Sequence, residues 1–161
     1  MEAQQIFQAV TRFSPSSWED CDYSNEIAHC FEIGELDEEY SRVTARFFSD
    51  GCNVSRVERV QNPYRYGQYL LRKLQLQVRY GHAASETTVY HAVPVKDVQV
   101  AVETSCDVRR YRPSAGRIPT FYSSPQAALS RISESEKAVI VLNKLTSSEY
   151  DVCPMYVVYI N

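Results

Sequence analysis

No run in the 161-residue chain approaches the ~20 consecutive apolar residues that a membrane-spanning helix needs. The first residues lack a basic segment followed by an apolar run, so no secretory signal is expected there. The five cysteines, Cys21, Cys30, Cys52, Cys106 and Cys153, include no C-x-x-C pair. That spacing speaks against a zinc site, and an odd count speaks against a closed disulfide frame. They read as reduced thiols of an intracellular protein, nuclear or cytoplasmic, with no metal. Basic charge is also short: 17 Lys and Arg stand against 20 Asp and Glu, a formal net charge of −3. A large phosphate-binding surface is therefore not expected, although a local basic face is compatible with the balance. The chain has no phosphate loop G-x-x-x-x-G-K-[ST], no dinucleotide fingerprint G-x-G-x-x-G, no H-E-x-x-H and no G-x-S-x-G elbow. Internal repeats, sustained heptads and low-complexity tracts are absent as well.

What is present is an ordinary globular composition with one excess. Apolar residues make up 44% and charged residues 23%, enough for one domain with a real core. Twelve tyrosines accompany a single tryptophan. Tyrosine suits flat ligands and interfaces, and equally strands and cores.

Residues 1–25 carry few apolar side chains and a Ser/Pro patch, which predicts a loosely structured arm anchored by Phe13 or Trp18. The alternation in "HCFEIGEL" predicts a strand from His29 to Leu36. A helix over "DEEYSRVTARFF" follows, with Tyr40, Val43 and Phe47 on one face, Asp37 as cap and Asp50-Gly51 as its end. "CNVSRVERV" reads as a strand. In "QNPYRYGQYLLRKLQLQVRY" Asn62 is a good N-cap and Pro63 a good first helical residue. Tyr66, Leu70, Lys73 and Leu74 are expected on one face. "TTVYHAV" and "PTFY" are strand-like, and "SPQAALSRI" is a short helix capped by Ser124. "VKDVQVAVE" suits a helix or, by its valines, a strand. "KAVIVLNKL" and "MYVVYI" are apolar strands. The set predicts an α+β domain over residues 26–161, since no regular βαβ alternation is present.

Arg109, Arg110, Arg112 and Arg117 cluster in an irregular stretch. They are candidate contacts to a partner or nucleic acid, although a solvated loop is the more ordinary reading of such a stretch. His29 and His82 have no partner signature. His91 closes a strand just before a helix, where chemistry is often placed, yet Ala92 and Val93 after it are inert.

Several segments, in order, resemble the catalytic domain of the poly(ADP-ribose) polymerase family, the diphtheria-toxin-like ADP-ribosyltransferases. "RVERVQNPYRYGQYLLRKL" is similar to that family's "RIQN…LW..Y…K", and "EEYSRVTARFF" to its "EY..V...F" helix. "VYHAVPVKDVQVAVETSCDVR" resembles "LFHGT....V..I....FD.R", and "GRIPTFYSSPQAAL" resembles "G.G.YFA..A.YS". "AVIVLNKLTSSEYDV" and "CPMYVVYI" resemble the closing strands. The likeness spans residues 26–160 and is greatest to members that transfer a single ADP-ribose and to catalytically dead ones. It implies two small antiparallel-rich sheets with flanking helices and an NAD⁺ cleft between them.

In that family a histidine holds the nicotinamide ribose, and a glycine and a hydroxyl residue after it bind the carboxamide. A tyrosine stacks on the ring. A glutamate on the last strands stabilises the oxocarbenium-like transition state, the electrostatic work that dominates many sites. Here the histidine matches His91, but the glycine falls at Ala92 and the hydroxyl at Val93. The tyrosine falls at Thr120, with Tyr122 two residues on as a possible substitute. The glutamate falls at Val158, or at Met155 in a shifted alignment. The glycine-rich turn is reduced to Gly116, with Pro119 beside the strand, and the long acceptor-side loop between the last two strands is shortened. Three or four lost contacts of about 0.5–1.5 kcal/mol each could weaken NAD⁺ binding by two or more powers of ten.

The resemblance therefore implies a pseudoenzyme with NAD⁺ binding weak or absent. No catalytic residue is expected, and His91, Thr120 and Val158 stand as vestigial triad positions. Such a domain would act as a protein-protein interaction module or scaffold, in the way that dead relatives serve gene silencing or antiviral RNA defence. Two other readings stand beside it. One is a mono-ADP-ribosyltransferase using His91 and Tyr122; the other is an RNA or ADP-ribose reader using the arginine cluster.

Overall fold

The computed structural model describes residues 2–23, 25–107 and 120–161. Its centre is a five-stranded sheet in which every pairing is antiparallel. The strands are β1 (His29–Glu32), β2 (Val54–Gln61), β3 (Glu86–Pro94), β4 (Lys137–Leu145) and β5 (Val152–Ile160), in the spatial order β1-β2-β5-β4-β3. The α+β class is as expected. The two small sheets are not: β2 pairs with β5 and β5 with β4, so the described strands form one continuous sheet. The "PTFY" strand reduces to an isolated bridge between Tyr122 and Tyr90 at the β3 edge.

Period-two alternation sends successive side chains to opposite faces of the sheet. Val89, Val93, Ile140, Leu142 and Val157 pack on one face under α4 (Val98–Thr104). Tyr90, Ala92, Val139, Val141 and Val158 pack on the other, under α2 (Glu38–Ser49) and α5 (Pro125–Leu129). Three valines do not keep α4 from being helical. Val98, Ala101 and Val102, spaced i, i+3, i+4, are all buried, and that burial outweighs their modest helix propensity. A 3₁₀ turn, Val95–Asp97, leads into it.

The first strand is shorter than its sequence suggests. Asp37 turns its carboxylate back to accept from the Gly34 backbone N–H at 3.1 Å, which makes a tight turn of the residues before α2. Its side chain therefore makes no cap bond to the helix, although it occupies the cap position. In α2 the buried residues are Tyr40, Thr44 and Phe47, with Val43 partly covered. Asp50 and a left-handed Gly51 end the helix.

α3 (Pro63–Tyr80) begins as predicted: the Asn62 side chain accepts from the Arg65 N–H at 3.1 Å, with Pro63 in the first turn. Its inward face differs from the expected one. Tyr69 and Leu76 are buried against Leu145 and Cys153, Tyr66 and Leu70 are half-buried, and Leu74 is exposed. The expectation followed one heavy stripe of apolar residues, but α3 is apolar on two sides and the sheet selects the Tyr69 side.

The arm is also more ordered than its composition suggested. It opens with α1 (Glu2–Thr11), whose Phe7 ring sits 5.3 Å from Tyr64 of α3. Trp18 anchors the following segment on Tyr66, also at 5.3 Å, while Phe13 is 67% exposed.

Candidate functional site

Position 91 lies on β3 between Val89 and Val93, so its ring joins their face of the sheet. His91 is only 5% exposed. A carbonyl oxygen can only accept, so Nδ1 carries the proton and donates to the Thr120 carbonyl at 3.1 Å. The Phe121 ring packs edge-on at 6.0 Å. Burial pushes the imidazole below its ordinary pKa, and the Thr120 carbonyl partly opposes this. The geometry describes a packed histidine whose Nδ1–H is held by a backbone carbonyl.

The other carried-over positions do not converge on it. Ala92 is buried on the opposite face, paired through Val139 to Val158 and on to Val57. Val93 is fully buried beneath α4. Tyr122 bridges Tyr90 backbone to backbone at 2.8 and 2.9 Å and packs with it on the α2–α5 face. Val158, fully buried, points to that same face and away from His91. On the His91 face the β5 residue in line is Val157, through Ile140. Met155 lies at the β5 bulge and packs toward Tyr66 and Tyr69 of α3. Thr120 is exposed and offers His91 its backbone. The structure brings His91, Thr120 and Phe121 together, and parts them from Ala92, Tyr122 and Val158.

Arg109, Arg110, Arg112 and Arg117, with Gly116 and Pro119, lie outside the described residues.

A cleft of about 890 Å³ opens beside Phe121, between α3, the end of α4 and the β4–β5 turn. Arg65, Tyr69, Ser105, Lys144 and Tyr150 are among its walls. Ser105 and Cys106 both hold left-handed backbone at φ 54°, an uncommon setting for residues with a Cβ. The Ser105 hydroxyl is buried with no hydrogen-bond partner among the described residues. Sequence reading missed this cleft, because its walls come from four separated segments and no local motif marks it.

Gln61 and Asn62 were legible only in part. Asn62 also donates to the Val102 carbonyl at 3.0 Å and the Glu103 carbonyl at 3.3 Å, tying the start of α3 to the end of α4. Gln61, fully buried, holds the backbone of Glu19 in the arm.

No protein-family model and no curated protein matches this chain. Among the described residues no group of three or more His, Cys, Asp or Glu is placed to hold a metal ion. No helix there is long and apolar enough to cross a membrane.

Proposed function

We propose that this domain is a catalytically inactive relative of the ADP-ribosyltransferases that serves as a binding module for another protein. The observation that carries the reading is the split between His91 and Val158. A transferase of that family needs its histidine, its stacking tyrosine and the residue at the glutamate position around one NAD⁺. Here the histidine packs on one face of the sheet, and Tyr122 and Val158 pack on the other. Val158 and His91 therefore do not share a face of the sheet. The same separation counts against mono-transfer, which needs the histidine and the tyrosine on one ligand.

Support also comes from the order of the resembling segments across residues 26–160 and from the inert Ala92 and Val93 after the histidine. An imidazole with 5% exposure is poorly placed to exchange protons with a substrate. Incubation of the purified protein with labelled NAD⁺ and candidate acceptor proteins tests the reading. It predicts no transferred label above the background of the His91→Ala variant. Transfer that disappears in His91→Ala would overturn it.

A further inference from the structure

The arm lies on the domain without burying its own side chains. Among the described residues of 2–27 none is buried, and residues 18–23 belong to no helix or strand. The surface beneath is built differently. Gln61 is 0% exposed, and its side-chain amide grips the main chain of Glu19 on both sides. Oε1 accepts from the Glu19 N–H and Nε2 donates to the Glu19 carbonyl, each at 2.8 Å. Further groups read the same segment. The Tyr66 ring takes the indole of Trp18, with ring centroids 5.3 Å apart. The His29 Nε2–H donates to the Asp22 carbonyl at 2.9 Å, and Gln61 Nε2 also donates to the Tyr23 hydroxyl at 3.2 Å. The domain thus holds this stretch by the main chain of Glu19 and Asp22 and by the rings of Trp18 and Tyr23. The side chains of Glu19 and Asp20 are exposed.

Main-chain hydrogen bonds give affinity for an extended peptide, and sites for its side chains give selection. A glutamine amide accepts at one end and donates at the other, as one residue of a strand edge does. Gln61 therefore grips position 19 whatever side chain stands there. A segment held this way, with no buried side chain, opens at a free energy well below that of the sheet. We infer that Gln61, Tyr66 and His29 form a peptide-binding site that the arm fills in cis. A partner protein displaces the arm with an extended segment of the same chemistry: an aromatic residue, then the residue gripped by Gln61, then a tyrosine in the place of Tyr23. The tethered arm competes at high effective concentration, so it screens out segments that lack either ring. The inference rests on the binding role proposed above and gives that role a surface.

Fluorescence anisotropy tests this on the full chain, with a labelled peptide of residues 16–25 carrying Cys21→Ser. The parent chain should bind the peptide weakly, since its own arm fills the site. Trp18→Ala with Tyr23→Ala in the chain loosens the arm and should tighten peptide binding by at least about tenfold. In the peptide, Glu19→Ala with Asp20→Ala should leave binding intact, whereas Trp18→Ala with Tyr23→Ala should abolish it. Adding Gln61→Ala to the loosened chain should also abolish binding, in a protein that still melts as a folded one. No saturable binding to a folded, loosened chain would overturn the inference, and so would binding that survives Gln61→Ala. Hydrogen exchange on the parent chain needs no variant. The Glu19 amide should exchange far faster than the paired amides of β4 and β5, and equal protection would overturn the inference. None of these outcomes bears on NAD⁺ transfer, so this inference and the inactivity of the domain fail separately.

Discussion

Gln61 and Glu19, 42 residues apart, hold each other through both ends of one amide. Gln61 Oε1 accepts from the Glu19 N–H at 2.8 Å, and Gln61 Nε2 donates to the Glu19 carbonyl at 2.8 Å and to the Tyr23 hydroxyl at 3.2 Å. A buried side-chain amide here copies the pairing of a neighbouring strand and fastens the arm to the end of β2. Gln61→Ala removes all three bonds and leaves a void, at a cost of about 2–3 kcal/mol. Urea unfolding should show that loss. Limited proteolysis should cut the arm well before the rest of the domain. An unchanged midpoint with the arm still protected would mean the clamp is not what holds it.

His91 gives the stability a pH dependence with a defined sign. Its folded pKa is lowered, chiefly by burial. Between that value and the ordinary histidine value of about 6.5 the unfolded chain binds more protons. Stability is therefore unaffected above about 6.5 and falls as pH drops below it, levelling off only below the folded pKa. The ring proton signal of His91 should titrate below the ordinary range. The slope of stability against pH just below 6.5 should flatten in His91→Gln. An ordinary titration for His91 would contradict its packed position.

A second acid-sensitive element fastens α2 to the sheet. Glu39 receives two bonds from Arg59, one at 3.0 Å from Nε, and another at 2.8 Å from the Tyr156 hydroxyl. The Arg59 bonds, foremost, hold its carboxyl below the usual range. A depressed carboxylate stabilises the fold above its unfolded pKa, and that contribution is lost as pH falls through the folded value. Glu39→Gln should cost about 1–3 kcal/mol near neutral pH. Its deficit relative to the parent should shrink as the pH is taken well below 4.5. A deficit that stays constant with pH would show that the carboxylate charge contributes nothing.

On α3 the two apolar sides separate cleanly by mutation. Leu76→Ala empties a buried site and should cost about 2–5 kcal/mol, whereas Leu74→Ala should change stability by less than about 0.5 kcal/mol. Comparable losses at both positions would mean that the helix turns its other side to the sheet.

The sequence made most elements visible, because strands such as "KAVIVLNKL" and the Asn62-Pro63 helix start are marked by local chemistry. Which side of α3 faces inward was not visible. Leu71, Leu74 and Val78 are as apolar as Tyr69 and Leu76, and only packing against Leu145 and Cys153 decides. The role of Gln61 was hidden because its partner is the backbone of Glu19, which no side-chain pattern records. The fate of the carried-over site followed the same rule. His91 was conspicuous, but its relation to Val158 depends on the β3–β4–β5 register, where a shift of one residue changes the face.

Calorimetric titration of NAD⁺ into the purified protein, with melting followed in parallel, tests the central claim most directly. A ligand that binds the fold raises its stability by RT ln(1 + [L]/Kd), so millimolar NAD⁺ reveals even weak binding. The split of His91 from Tyr122 and Val158 predicts no heat of binding and no shift in melting temperature. Saturable binding that is lost in His91→Ala, in a variant that still folds, would contradict it.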